Sequence, residues 1–183
     1  MKFNFGSILR SNLSVQKQKD LFNFGSIKTH QLRYGADSAG ALHWSSDEAD
    51  KHAKQYYEFC RKRKTDCDVI AKNTGFRTED IYRVKEHIFF ANHKLDDGII
   101  GRFDPSYDMA QSWQRLSENK GLRIEDNDIT MLNHEFFESV IEKAENLTYR
   151  EAHDRTDVIY HYISEHEKEV GGYDGMVHRI NRQ

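Results

Sequence analysis

The residues best equipped for chemistry are the histidines and the acids beside them; ten histidines occur among 183 residues. In the run His134-Glu135-Phe136-Phe137-Glu138, an imidazole and a carboxylate stand four apart, so they are neighbours on one side of a helix. Glu142 continues that side one turn later, His153 belongs to the next amphipathic segment, and His87 and His93 precede both. Imidazole with carboxylate suits two kinds of work. The groups can ligate zinc or another divalent ion, which takes three or four donors at one point. They can also form a general acid–base pair in which Glu orients His and sets its proton affinity. Both roles stay open, and the candidate catalytic residues are His134, Glu138 and His153, helped by His87 or His93.

A helical projection centred near Phe136 and Val140 puts His134 roughly 120° and Glu138 roughly 160° from the apolar centre. His134 is thus expected on the rim of the buried arc. The bland explanation is a solvated polar face, which helical spacing alone would produce. Asn133 projects almost into the apolar centre and reads as a buried amide bridging helices.

Motif specificity is low. The fifth residue of the His134 run is Glu, so HExxH and a zincin protease are disfavoured. His153-Asp154 echoes the His-Asp dyad of HD phosphohydrolases, a pair common by chance. The chain contains no P-loop, GxGxxG, GxSxG elbow or zinc-deaminase signature.

The elements that must position these groups are mostly helices. Ser45 and Glu48 form a capping box ahead of a stripe of Ala49, Ala53, Tyr56, Tyr57 and Cys60. Arg61-Lys62-Arg63-Lys64 closes that helix against its dipole. A short helix over 69–74 stops at Gly75, and another begins after Thr78 with Ile81, Val84, Ile88 and Phe89 inward. The segment from Leu95 to Phe103 is the best candidate for a hairpin. Asp104-Pro105 suits the start of a helix presenting Tyr107, Ala110, Trp113 and Leu116.

The next helix opens near Asp126 or Asp128 and buries Ile129, Leu132, Phe136, Phe137, Val140, Ile141 and Ala144. The last opens with the capping box Thr148 to Glu151, buries Ala152, Thr156, Ile159, Ile163 and Val170, and ends at Gly171-Gly172. The short link at Asn146-Leu147 makes these two an antiparallel pair. The fold class is mainly α, a compact helical domain with a small β-hairpin and an extended N-terminal arm.

Composition narrows the setting. Charged residues make up 31% and apolar ones 37%, and the net charge of −3 exerts no global pull on nucleic acid or anionic lipid. The longest apolar runs are too short to span a bilayer. Cys60 and Cys67 fit neither a metal knuckle nor a disulfide framework and read as reduced structural thiols of a cytoplasmic protein. Ala71, Gly75, Ile81 and Val84 do have the spacing of a helix-turn-helix. Its second helix, however, carries Glu79, Asp80 and Glu86 beside Arg83 and Lys85, so a plain αα-corner is favoured over a DNA reader. The alternative function is therefore a DNA-binding or protein-interaction module without chemistry.

Residues 1–34 form an arm in which Phe3-Asn4-Phe5-Gly6-Ser7-Ile8 recurs letter for letter as Phe22-Asn23-Phe24-Gly25-Ser26-Ile27. Residues 35–183 form the helical domain. From Ile81 onward the chain resembles domains at the C-termini of bacterial polymorphic toxins and phage head-morphogenesis proteins. The likeness is carried by Val84-Lys85-Glu86-His87-Ile88-Phe89 with His93, by Arg102-Phe103-Asp104-Pro105 and by Ala110 through Leu116. It continues in Leu132-Asn133-His134-Glu135 and Glu151-Ala152-His153. The resemblance implies an effector domain delivered by a larger module into a target-cell cytoplasm, an immunity protein as partner, and often nuclease or other hydrolase activity. It also makes the arm an adaptor or, in a phage-derived structural part, a docking segment.

Overall fold

Apolar side chains recurring at three and four residues leave each helix with a face to hide, and the six helices among the described residues hide them against one another. The computed structural model describes residues 43, 45–95, 98–118 and 124–163. Among these, the order is α1 (Asp47–Lys62), α2 (Asp66–Thr74), α3 (Thr78–Phe89), β1 (His93–Lys94), β2 (Ile100–Gly101), α4 (Tyr107–Ser117), α5 (Asp126–Glu145) and α6 (Tyr149–Asp157). The fold is mainly helical with one antiparallel hairpin, His93 facing Gly101 and Lys94 facing Ile100. The duplicated arm, the boundary at residue 34, and Val170 with Gly171-Gly172 lie outside the described residues.

The α1 stripe is buried as its spacing predicts. Its cap is Ser46, not Ser45: Ser46 is extended and its Oγ accepts the Ala49 N–H, whereas Ser45 turns its hydroxyl to His43. A similar shift occurs at α4, where Ser106 rather than Asp104 accepts the Met109 N–H and the helix starts after Pro105. The basic run after α1 is partly spent inside the fold. Arg61 donates to the Phe89 carbonyl at 2.6 Å and Arg63 to that of Ser117 at 2.9 Å.

Helices α2 and α3 form a corner at Gly75, whose φ of 79° is the left-handed conformation of a helix C-cap. A buried ion pair, Lys85 to Asp66 at 2.7 Å, ties α3 to the start of α2, and Trp113 on α4 donates to the other Asp66 oxygen at 3.1 Å. Around that junction Tyr57, Ile70, Ile81, Phe89, Trp113 and Leu132 make the larger core. The Tyr57–Phe89 and Phe89–Trp113 pairs meet edge to face, worth about 0.5–1.5 kcal/mol each beyond area burial.

The longest helix, α5, is covered on more than its apolar side. His134, Glu135, Glu138 and Ser139 are buried along with Met131, Leu132, Phe136, Phe137 and Ile141. The solvated-face explanation is overturned, because α3 packs on one flank of α5 and α6 on the other. Ala144, expected inside, is exposed. Asn133 does not bridge helices: it is half-buried and its amide donates to the Ile129 carbonyl of its own helix.

Asn146, with φ 55°, ends α5, and the Thr148–Glu151 capping box opens α6 as expected. Helix α6 runs back along α5, His153 beside Glu138 and Tyr160 reaching His134. It stops at Asp157 rather than continuing towards 170. The Thr156 carbonyl accepts both the Ile159 and Tyr160 N–H groups, turning the chain so that Ile159 joins Phe137, Ile141 and Ala152 in a second core. Ile163 is only half-buried.

Candidate metal centre

Three elements deliver imidazoles to one carboxylate. Helix α5 contributes Glu138, with His134 one turn before it; α3 contributes His87 near its C-terminus; α6 contributes His153. Glu138 Oε2 lies 3.2 Å from His134 Nε2 and 3.2 Å from His153 Nδ1, and those nitrogens are 3.1 Å apart. The other oxygen, Oε1, lies 3.0 Å from His87 Nε2. His134 and Glu138 are each 1% exposed, so His134 lies deep inside rather than on a rim; His87 is buried as well. The His153 side chain, 39% exposed, keeps one edge open.

Backbone carbonyls fix which nitrogens are available. His134 Nδ1 is 2.7 Å from the Tyr160 carbonyl, which only accepts, so Nδ1 carries the proton and Nε2 faces Glu138 and His153. His93 Nε2 likewise donates to the His87 carbonyl at 3.0 Å, leaving Nδ1 to face Glu142 at 2.9 Å. An imidazole oriented through its far N–H while its near nitrogen meets other donors is the usual arrangement of a metal-binding histidine.

Electrostatics follow from burial among these groups. Burial alone would lower His134, yet the Glu138 hydrogen bond and the charges of Glu135 and Glu138 lift it to about 9. His87 moves up against burial, through the Glu138 bond and the charges of Glu135, Glu138 and Glu142. For His153 the Glu138 bond is the largest influence and also raises it. Glu138 itself would be raised by burial, but hydrogen bonds from His134, His153 and His87 together hold it well below the usual carboxylate range. Glu135 goes the other way: buried and close to Glu138, it is pushed up.

The site separates two hollows. One, about 540 Å³, touches His134, Glu135 and His153 and is rimmed by Arg102, Phe103 and Tyr149. The other, about 710 Å³, touches His87, His93 and Glu142. Between them runs an aromatic column: His93 stacks on Phe103 at 3.8 Å, Phe103 meets Tyr149, and Tyr149 leans on His153.

The expected trio His134, Glu138 and His153 thus converges, and both helpers, His87 and His93, lie at its edge. The His153-Asp154 dyad does not form a site, since Asp154 is exposed; the acid approaching His134 is Asp157, 3.8 Å from Nδ1. Sequence reasoning placed Glu135 and Glu142 only on a polar side and gave no role to the Tyr160 carbonyl. No glycine or proline marks the turn that brings that carbonyl in. Outside the centre, Cys60 and Cys67 are buried free thiols pushed up to about 12 by burial, hence inert.

The helix-turn-helix spacing corresponds to the α2–α3 corner, whose second helix buries Asp80, Lys85 and His87 against its neighbours. Its exposed positions Glu79, Tyr82, Arg83 and Glu86 carry two acids for one base, a poor match to phosphates. No helix among the described residues is long and apolar enough to cross a membrane. Fold and site together define a helical domain with a buried histidine–carboxylate centre. No protein-family model, curated protein or solved structure matches the chain.

Proposed function

We propose that this chain is a metal-dependent hydrolase, a nuclease-like effector domain of the toxin type, with His134, His153 and Glu138 as its metal ligands. The observation that carries the reading is the triangle of donor atoms with edges of 3.1, 3.2 and 3.2 Å. A tetrahedral zinc with bonds of about 2.0–2.1 Å to nitrogen and oxygen spaces its ligands by about 3.3 Å. Charge-assisted hydrogen bonds are shorter, about 2.7–2.9 Å. Three protein donors and an open edge at His153 correspond to a catalytic rather than a structural site.

A divalent ion there would polarise a phosphoryl oxygen and bring the pKa of a bound water to about 7. The cavity beside it has an exposed cation, Arg102, on its rim, suited to an anionic phosphodiester. Hydrolysis adds the water's hydroxyl to phosphorus, breaks one P–O ester bond and leaves the second proton on the departing alkoxide. The resemblance of residues 81–153 to toxin-type domains supports the same substrate class by analogy, with delivery into a target-cell cytoplasm and an immunity protein as partner.

The test is cleavage of single- and double-stranded nucleic acid by purified protein with zinc or manganese, against His134→Ala and Glu138→Gln checked for folding by circular dichroism. Losing a group that merely orients a metal ligand costs about 10–100-fold, so removing a ligand itself is expected to cost at least about 100-fold. Cleavage that survives chelation, equal activity in the variants, or no cleavage by the wild type removes the reading.

A further inference from the structure

We propose a second divalent-cation site, formed by His87 Nε2, Glu135 and Glu138 Oε1, so that Glu138 bridges a pair of metal ions. The inference rests on the metal-dependent reading above and extends it to a two-metal centre acting on phosphodiesters.

The two oxygens of Glu138 serve different partners. Oε2 belongs to the His134–His153 triangle, while Oε1 meets His87 Nε2 at 3.0 Å. Glu135, one turn earlier on α5, aims its carboxylate at the same nitrogen from 3.7 Å. The donor atoms of His87, Glu135 and Glu138 all lie within 4.8 Å of one another, and all three residues are buried.

Glu135 supplies an independent reason for a cation. It is 7% exposed and lines the 540 Å³ cavity, and its carboxylate accepts no hydrogen bond among the described residues; its ion-pair contact is the distant His87 nitrogen. Buried carboxylates normally collect hydrogen bonds or coordinate a metal. A cation placed among Glu135, His87 and Oε1 would answer that need directly.

His87 is also oriented as a ligand. Its far nitrogen, Nδ1, faces Glu142 Oε2 at 3.7 Å, and Glu142 is held in turn by His93 Nδ1 at 2.9 Å. The sequence carboxylate, imidazole, metal recurs in known metal sites, where the outer acid aligns the ring. Across Glu138, the Tyr160 carbonyl does the same for His134.

Charge favours the pair for an anionic substrate. One dication would be neutralised by Glu135 and Glu138, whereas two leave an excess of positive charge at the cavity that Glu135 and His153 line. Paired ions about 3.5–4 Å apart can hold both the attacking and the leaving oxygen of an in-line displacement.

The experiment counts metal on the full chain. Protein stripped with chelator is dialysed against excess manganese, freed of loose ions, and measured by elemental analysis and electron paramagnetic resonance. Two ions per wild-type chain with a spin-coupled spectrum are expected. His87→Ala and the near-isosteric Glu135→Gln, each checked for native circular dichroism, should each hold one ion with an uncoupled spectrum. One ion in the wild type overturns the second site and leaves the first; none overturns both. Two coupled ions in both variants overturn the assignment to these ligands. Loss of fold in His87→Ala shifts the decision to Glu135→Gln, which preserves side-chain volume.

Discussion

Single side chains in this fold carry opposite electrostatic problems on opposite sides of α3. His87 faces a surplus of acids, while Lys85, two residues earlier, is a lone amine inside the larger core. Lys85 Nζ donates to Asp66 at 2.7 Å and to the Arg63 carbonyl at 2.6 Å, and Asp66 is completely buried. Removing one member of such a pair leaves the other charged and dry, which costs about 3–5 kcal/mol. Lys85→Ala is therefore expected to lower the urea unfolding free energy by about that much. The double change Lys85→Met with Asp66→Asn should recover most of the loss, because no buried charge remains. A loss below about 1 kcal/mol in the single variant would mean that water reaches Asp66 and the pair is not dry.

At the scale of elements, the site depends on how two short segments are held. Helix α6 has nine residues and places His153, and its hold at the N-terminus is the reciprocal box in which Thr148 accepts from the Glu151 N–H and Glu151 accepts from the Thr148 N–H. Thr148→Ala is expected to cost about 1 kcal/mol, the usual value of an N-cap. It should also weaken zinc binding, read by competition with a chromophoric chelator, because the first turn of α6 carries Tyr149 and directs His153. Unchanged zinc affinity would show that Ala152 and Ile159 alone set the helix. The Thr148–Glu151 box was legible beforehand, since it rests on residues three apart, as were the stripes of α1 and α3 and the stop at Gly75, whereas the box expected at Ser45 gave way to a cap at Ser46. The burial of His134, Glu135 and Glu138 was not. Amphipathic projection assigns one inside face per helix, and α5 has neighbours on two flanks. The turn after Asp157 was also hidden: Val158, Ile159 and Ile163 extend a helical pattern, and only packing of Ile159 into the second core breaks it.

For the molecule as a whole, the centre couples stability to pH with a sign that a bound metal would reverse. Without metal, the imidazoles of His134, His87 and His153 are raised above their unfolded value of 6.5, His134 to about 9. Their contribution is fully present below about pH 6.5 and is lost as pH rises through the folded values. Glu135, raised by burial, loses stability in the same direction. Glu138 is lowered, so its contribution is present above its unfolded value of 4.5 and is lost only as the solution becomes strongly acidic. The histidines and Glu138 should therefore favour the metal-free chain most between about pH 4.5 and 6.5, with Glu135 tilting that window towards its acid end. That chain should then lose on the order of 3 kcal/mol through His134 alone on going to pH 9, at about 1.4 kcal/mol per pKa unit. A bound ion replaces those protons and competes with them, so the loaded chain should gain stability as pH rises from 6 to 8. Urea unfolding with chelator and with zinc, across pH 5.5 to 9, reads both slopes. Opposite slopes identify a centre that exchanges protons for metal, whereas parallel declines would mark the cluster as a buried hydrogen-bonded network with no place for an ion.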